Sequence, residues 1–273
     1  MDRFETAVDA VVSGDVSTLR ELLRAEPSLV QARSARPHQA TLLIYTAANG
    51  VEDERQRTPP NIVEIACLLL DAGADVNAAA NAYGAACTTL ELAATSVHPL
   101  RAGVQNELLQ LLLDRGANLD SPTLLSACLG NFRPQAAAFL AARGAKIDLV
   151  AAAGLGDLAK ARELFGSATA GQKHLALMWS CEYGRNDVVE FLLENGGDLA
   201  SHTGDGQTPL HWAIVGGQVE TVELLLRRNP PLAHKNMHGG TPLGQARWSL
   251  EHAEGDPEPF RKIIGILVGA GAR

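Results

Sequence analysis

The spacing of one motif constrains this chain more than any other feature. Thr208-Pro209-Leu210-His211 opens a short helical pattern, and Thr241-Pro242-Leu243 opens another 33 residues later. The same interval separates Gly184 from Gly217 and Leu193 from Leu226. A fixed period of this length marks a chain built from stacked copies of one unit. Within the unit, Thr208 can cap a helix with its hydroxyl, and Pro209 suits the first helical position, where a missing N–H costs nothing. Gly217 stands where that helix must stop and where a left-handed residue is favoured. Val219, Val222, Leu225 and Leu226 then line one face of a second helix. Such a helix pair cannot bury that face alone, so it requires copies on either side.

The residues of this unit resemble the ankyrin repeat. The Thr-Pro-Leu-His motif stands at 208–211, with weaker versions at Thr241-Pro242-Leu243-Gly244 and Ser121-Pro122-Thr123-Leu124. The Leu-rich second helix followed by Gly-Ala-Asp-Val-Asn occurs as Leu68-Leu69-Leu70-Asp71-Ala72-Gly73-Ala74-Asp75-Val76-Asn77. It returns as Leu111-Leu112-Leu113-Asp114-Arg115-Gly116-Ala117-Asn118-Leu119-Asp120. The resemblance covers nearly the whole chain. It implies an all-α solenoid of about eight helix-turn-helix repeats with short β-turn fingers, continuous over residues 1–273.

Composition agrees with close helix stacking: 46% of residues are hydrophobic but 4% are aromatic, so Ala, Leu and Val must supply the core. Twenty-three Lys and Arg against 31 Asp and Glu give a formal charge of −8. That balance argues against a nucleic-acid partner or an anionic membrane surface. Cys67, Cys87, Cys128 and Cys181 are widely separated, and their spacing suits buried thiols rather than a zinc site. No apolar run approaches membrane length, and the N-terminus lacks a signal-like core, which points to a cytoplasmic protein.

Taken in order, residues 4–34 read as a capping repeat, because charges interrupt the apolar pattern. Thr208 to Leu226 is 18 residues, but Thr41 to Leu70 is 29 and Thr88 to Leu113 is 25. Extra residues are therefore expected near 51–61 and 95–105, both after the first helix of a repeat. A third insertion is expected near 251–259. Gly156 to Gly184 is 28 residues, which predicts a truncated finger in between.

His211 suits a structural role implied by the resemblance, tying neighbouring fingers through its ring nitrogens. Tyr45, Trp179 and Trp212 share one slot five residues before the helix-ending Gly, which reads as a packing position. The resemblance also implies a concave binding groove, with Asn49, Leu129, Glu182, Tyr183, Gln207 and Trp248 among its residues. Tyr83, Asp205, Asn236 and His238 are further finger-tip candidates. Aromatic anchors with a polar rim suit a protein partner, and would also suit a small-molecule pocket.

Two function classes follow. One is an interaction module that holds a partner protein in the groove. The other is a small-molecule-binding protein or enzyme whose pocket the inserted loops close, with Arg55 and His98 as candidate catalytic groups for acid/base chemistry with charge stabilisation. In that arrangement Arg55 and His98 face inward above a floor made by Asn49 and Thr95. No phosphate loop, nucleophile elbow or paired-His metal motif is present, so neither a cofactor nor a metal is expected.

Overall fold

A computed structural model describes residues 2–253 and 255–273. Its internal contacts divide the chain into two compact units, one running through residue 146 and the other covering residues 147–273. Both are built from paired helices, with little strand.

In the first unit, α1 (Arg3–Ser13) and α2 (Val16–Ala25) form the opening pair, followed by α3 (Leu42–Tyr45) and α4 (Ile62–Asp71). A hairpin of β1 (Ala79–Ala82) and β2 (Ala85–Thr88) leads into α5 (Thr89–Thr95), α6 (Val97–Arg101) and α7 (Gln105–Asp114). The unit closes with α8 (Leu124–Gly130) and α9 (Pro134–Ala141). Leu19 and Leu23 are the buried residues of α2, so its remaining face is open to water, as a capping repeat requires.

The second unit pairs α10 (Leu149–Leu155) with α11 (Leu158–Phe165), and α12 (Ala170–Glu182) with α13 (Asn186–Glu194). It continues with α14 (Pro209–Val215) and α15 (Val219–Leu226), then α16 (Pro242–His252) and α17 (Glu258–Gly269). One continuous cluster fills this unit, with Ala153, Leu177, Leu192, Leu210, Leu225 and Leu267 among its members. Residues 166–169 alone separate α11 from α12, which is the truncated finger expected from the spacing.

Four first helices end as the glycine spacing predicts, whereas α3 stops at Tyr45, five residues before Gly50. Gly14, Gly50, Gly156, Gly184 and Gly217 all have positive φ, between 66° and 82°. At the end of α14, the Gln218 N–H reaches back to Ala213 O and the Gly217 N–H to Ile214 O, which satisfies carbonyls the helix leaves open. After α8 the same pair of bonds forms without glycine: Arg133 N–H to Cys128 O and Phe132 N–H to Leu129 O, with Phe132 at φ 58°.

His211 is fully buried and takes the structural role expected of it. Its Nδ1 accepts from the backbone N–H of Thr208 and meets the Thr208 hydroxyl at 2.8 Å. A backbone N–H can only donate, so the ring proton sits on Nε2, which lies 3.2 Å from Gly240 O. One imidazole thus closes the start of α14 and ties it to the next finger. Fingers are also joined by main chain: Asn81 N–H donates to His38 O, and Met237 N–H to Asp205 O, both at 2.8 Å.

Both inserted segments are ordered into structure. The first carries a single 3-10 turn at Asp53–Arg55. The second forms α6, started by Ser96, whose side chain accepts from His98 N–H. Of the third, residues 251–253 and 255–259 are described: α16 runs on to His252 and α17 begins at Glu258, while residue 254 lies outside the described residues. Cys128 and Cys181 are buried, whereas Cys67 and Cys87 are half-buried.

Candidate functional site

The first unit holds a cleft of about 590 Å³. Three elements shape it. The β1–β2 hairpin contributes Tyr83 and residues 85–87 to one wall. Ser121, Thr123, Leu124 and Ala127, at and before the start of α8, form the opposite side. Between them lie Asn49, Glu91, Leu92, Thr95, Ser96, His98, Asn131 and Arg133.

The hairpin owes its shape to a two-residue turn. Tyr83 and Gly84 both adopt positive φ, 53° and 78°, as the tight turn between two-stranded hairpins demands. Tyrosine pays for this conformation where glycine does not. Its side chain is 76% exposed, and its hydroxyl meets Asn49 Oδ1 at the rim of the cleft.

Asn49 and Thr95 both line the cleft and are joined to each other. Asn49 Nδ2 donates to Thr95 Oγ1 at 3.0 Å and to Leu92 O at 3.1 Å. Ser96 donates from its hydroxyl to Ala48 O across the junction between the two insertion-bearing repeats, and Gln105 Nε2 donates to Ala93 O within the second of them. Arg133 Nε donates to Ser96 O from the next repeat.

His98 and Arg55, paired in the sequence reading, are placed apart in role. His98 lines the cleft, together with Gln56 from the first insertion. Arg55 does not line it: its guanidinium lies 2.7 Å from Glu5 and 3.0 Å from Asp9, both on α1. The physical reason is charge. The one-eighth-exposed Arg55 side chain needs carboxylates to offset its desolvation, and α1 offers two. Nearby, Glu52 accepts from the Tyr45 hydroxyl at 3.4 Å, stands 3.3 Å from His38 Nε2 and pairs with Arg36, which also reaches Glu5 at 3.2 Å. This network anchors the first insertion to the opening repeats.

Burial shapes the electrostatics of the cleft. Burial, with Arg101 and Arg133 nearby, pushes the His98 imidazole below its ordinary range, which favours its neutral form. Burial, followed by the Glu91 charge, pushes the Cys87 thiol up, so it is not a ready nucleophile. Glu91 accepts from the Thr88 N–H and hydroxyl and thereby serves as a helix cap. Among the described residues no group of three or more His, Cys, Asp or Glu could hold a metal ion, and no helix is long and apolar enough to cross a membrane.

The other groove candidates divide by exposure. Leu129 is 1% exposed and Glu182 is 3% exposed, so packing leaves neither a surface to offer. Glu182 ends α12, where its carbonyl accepts from Gln218 Nε2 at 3.0 Å, and burial drives its carboxyl up to about 8. Tyr183 is half-buried beside it. Gln207 donates to Asp205 Oδ2 at 2.8 Å, in a finger that Thr203 also braces. Trp248 is 57% exposed and stacks on His252, with ring centroids 4.4 Å apart. Of the packing-slot aromatics, Tyr45 is fully buried and Trp212 packs against the second unit's core.

Of the hairpin wall the sequence reading named Tyr83, as a finger-tip candidate; residues 85–87 and Arg133 escaped it. A two-residue Tyr-Gly turn flanked by small residues was the one local signal for the hairpin. Nothing local marks Arg133.

The family model described as ankyrin repeats (3 copies) matches residues 149–237. No curated protein matches the chain.

Proposed function

From the ankyrin-repeat match at residues 149–237 we propose that the chain is an ankyrin-repeat binding module of about eight repeats that holds a partner protein. Repeats of this kind are generally protein-interaction modules, and this observation carries the reading. Within the second unit, Tyr183, Gln207 and Trp248 are the groove candidates that keep accessible surface. Trp248 offers a large amphipathic contact of the kind that anchors interfaces. Asn49 is the corresponding candidate in the first unit, where it lines the cleft.

The test is a partner capture carried through to variants. A partner retained by the unmodified chain should be lost or weakened by Tyr183→Ala and by Trp248→Ala, with the circular dichroism spectrum unchanged. Retention of the same partner by both variants at full affinity would remove the groove from consideration.

One observation favours a second reading, a pocket for a small polar molecule. Gln56 from one insertion and His98 from the other line the same cleft, whose volume falls in the range of ligand sites. Native mass spectrometry of the purified chain tests it. A bound small molecule that His98→Ala releases supports the pocket, and a chain free of any such mass counts against it.

A further inference from the structure

The pairing of the hairpin fixes which of its backbone groups are free. Ala82 and Ala85 flank the two-residue turn, so they exchange hydrogen bonds with each other. The next pair, Asn81 and Ala86, must then turn its N–H and C=O groups outward, away from the partner strand. The other side of the hairpin confirms this alternation, because the Asn81 N–H points out to His38 O in the preceding finger. One step further along β2, Thr88 also points outward, and Glu91 accepts from its N–H. Ala86 is exposed, lines the cleft, and among the described residues its outward groups meet no protein partner.

The reason lies in the next connection. Each of two other fingers receives a main-chain N–H from the finger that follows it, at His38 O and Asp205 O. The connection after the hairpin's repeat is short: residues 115–123 join α7 to α8, against residues 195–208 between α13 and α14. It ties back at its base, through Asn118 N–H to Asn77 Oδ1 and Asn77 Nδ2 to Gly116 O, and among the described residues it makes no main-chain bond to β2. The cleft therefore occupies the place where a full finger would stand, and the edge that such a finger would cover is left bare.

We propose that an extended segment of a partner protein fills this place, adding to the edge of β2 as a third strand and exchanging both main-chain bonds with Ala86. An exposed strand edge is a standing template for this mode of recognition. The side chain on the cleft side of the added strand meets Thr95 and His98, so a polar residue is selected there. The inference rests on the reading of the chain as a protein-binding module and names where and how one segment is held.

Ala86→Pro isolates the proposal. Proline removes the outward N–H and fills its direction, yet spares the hairpin, because the Ala86 N–H takes no part in pairing with β1. Ala86→Val keeps the N–H and serves as control. The probe is a phage-displayed library of linear peptides selected on the full chain. Selected peptides should bind Ala86→Val nearly as well as the unmodified chain and bind Ala86→Pro roughly tenfold or more weakly, the size of one lost main-chain bond. Methylation of one peptide amide nitrogen should reproduce the loss on the unmodified chain, which keeps the test valid if Ala86→Pro folds poorly. Peptides indifferent to both changes, or no selected peptide at all, would overturn strand addition. So would a dimer of the unmodified chain that Ala86→Pro dissociates, since a second copy would then hold the edge. The groove variants at Tyr183 and Trp248 judge the wider reading separately.

Discussion

Asn49 Nδ2 lies 3.0 Å from Thr95 Oγ1, and this bond joins the two repeats that carry insertions. The same amide reaches Leu92 O and the Tyr83 hydroxyl, so one side chain holds helix and hairpin together. Asn49→Ala should cost about 1–3 kcal/mol, because partly buried groups lose their partners. Chemical denaturation measures it. A loss within experimental error of zero would mean that solvent replaces these bonds without penalty.

His211→Ala should cost about 1–2 kcal/mol at neutral pH through the lost bonds to Thr208 and Gly240. The pH dependence has a definite sign. Burial holds the folded imidazole below its ordinary 6.5, so the unfolded chain takes the proton first as pH falls. The stability that His211 confers is therefore complete above about 6.5 and shrinks below it. Urea midpoints of both proteins at two pH values check this, and a gap that widened in acid would contradict it.

Leu225 is fully buried in the cluster of the second unit. Leu225→Ala should cost about 2–5 kcal/mol, as truncation of a packed core side chain does. A measured loss below about 1 kcal/mol would show that the site collapses around the shorter side chain.

Glu182 titrates the other way. Its carboxyl holds a proton in the folded chain up to about 8, against an ordinary 4.5. The folded state then binds a proton that the unfolded state has released, so stability should decline as pH rises through that window. Glu182→Gln removes the titrating group while keeping a similar shape. The melting temperature of the variant should gain on that of the unmodified chain as pH rises across the window, and parallel curves would refute the assignment.

The helix register was legible because a packed repeat must place Leu225 and Gly217 at fixed intervals, and periodicity is a local property of the chain. The same logic led to the expectation of three insertions, since extra residues break the interval. Arg55 shows what periodicity cannot carry. Its partners Glu5 and Asp9 stand 50 and 46 residues earlier, and no pattern near residue 55 names them. Leu129 stands three residues before Phe132, as the buried Ile214 stands before Gly217, so it holds a core position of the repeat; Glu182 is covered by packing, which depends on the size of neighbouring side chains rather than on register. Phe132 takes the left-handed position where other repeats use glycine, so the end of α8 lacked its usual marker.

The side-chain ties of the second unit have a consequence for how it is made. Gln218 reaches back 36 residues to Glu182, Thr221 reaches 35 to Asn186, and Arg185 reaches 31 to Gly154. Each spans about one repeat, and none among the described residues waits for a distant part of the chain. Loop closure over so short a span is rapid, and topologies dominated by near contacts fold quickly. During synthesis, each helix pair leaving the ribosome meets a docking face that its predecessor has already formed. Growth can then proceed by successive addition, with one unsatisfied face exposed at a time.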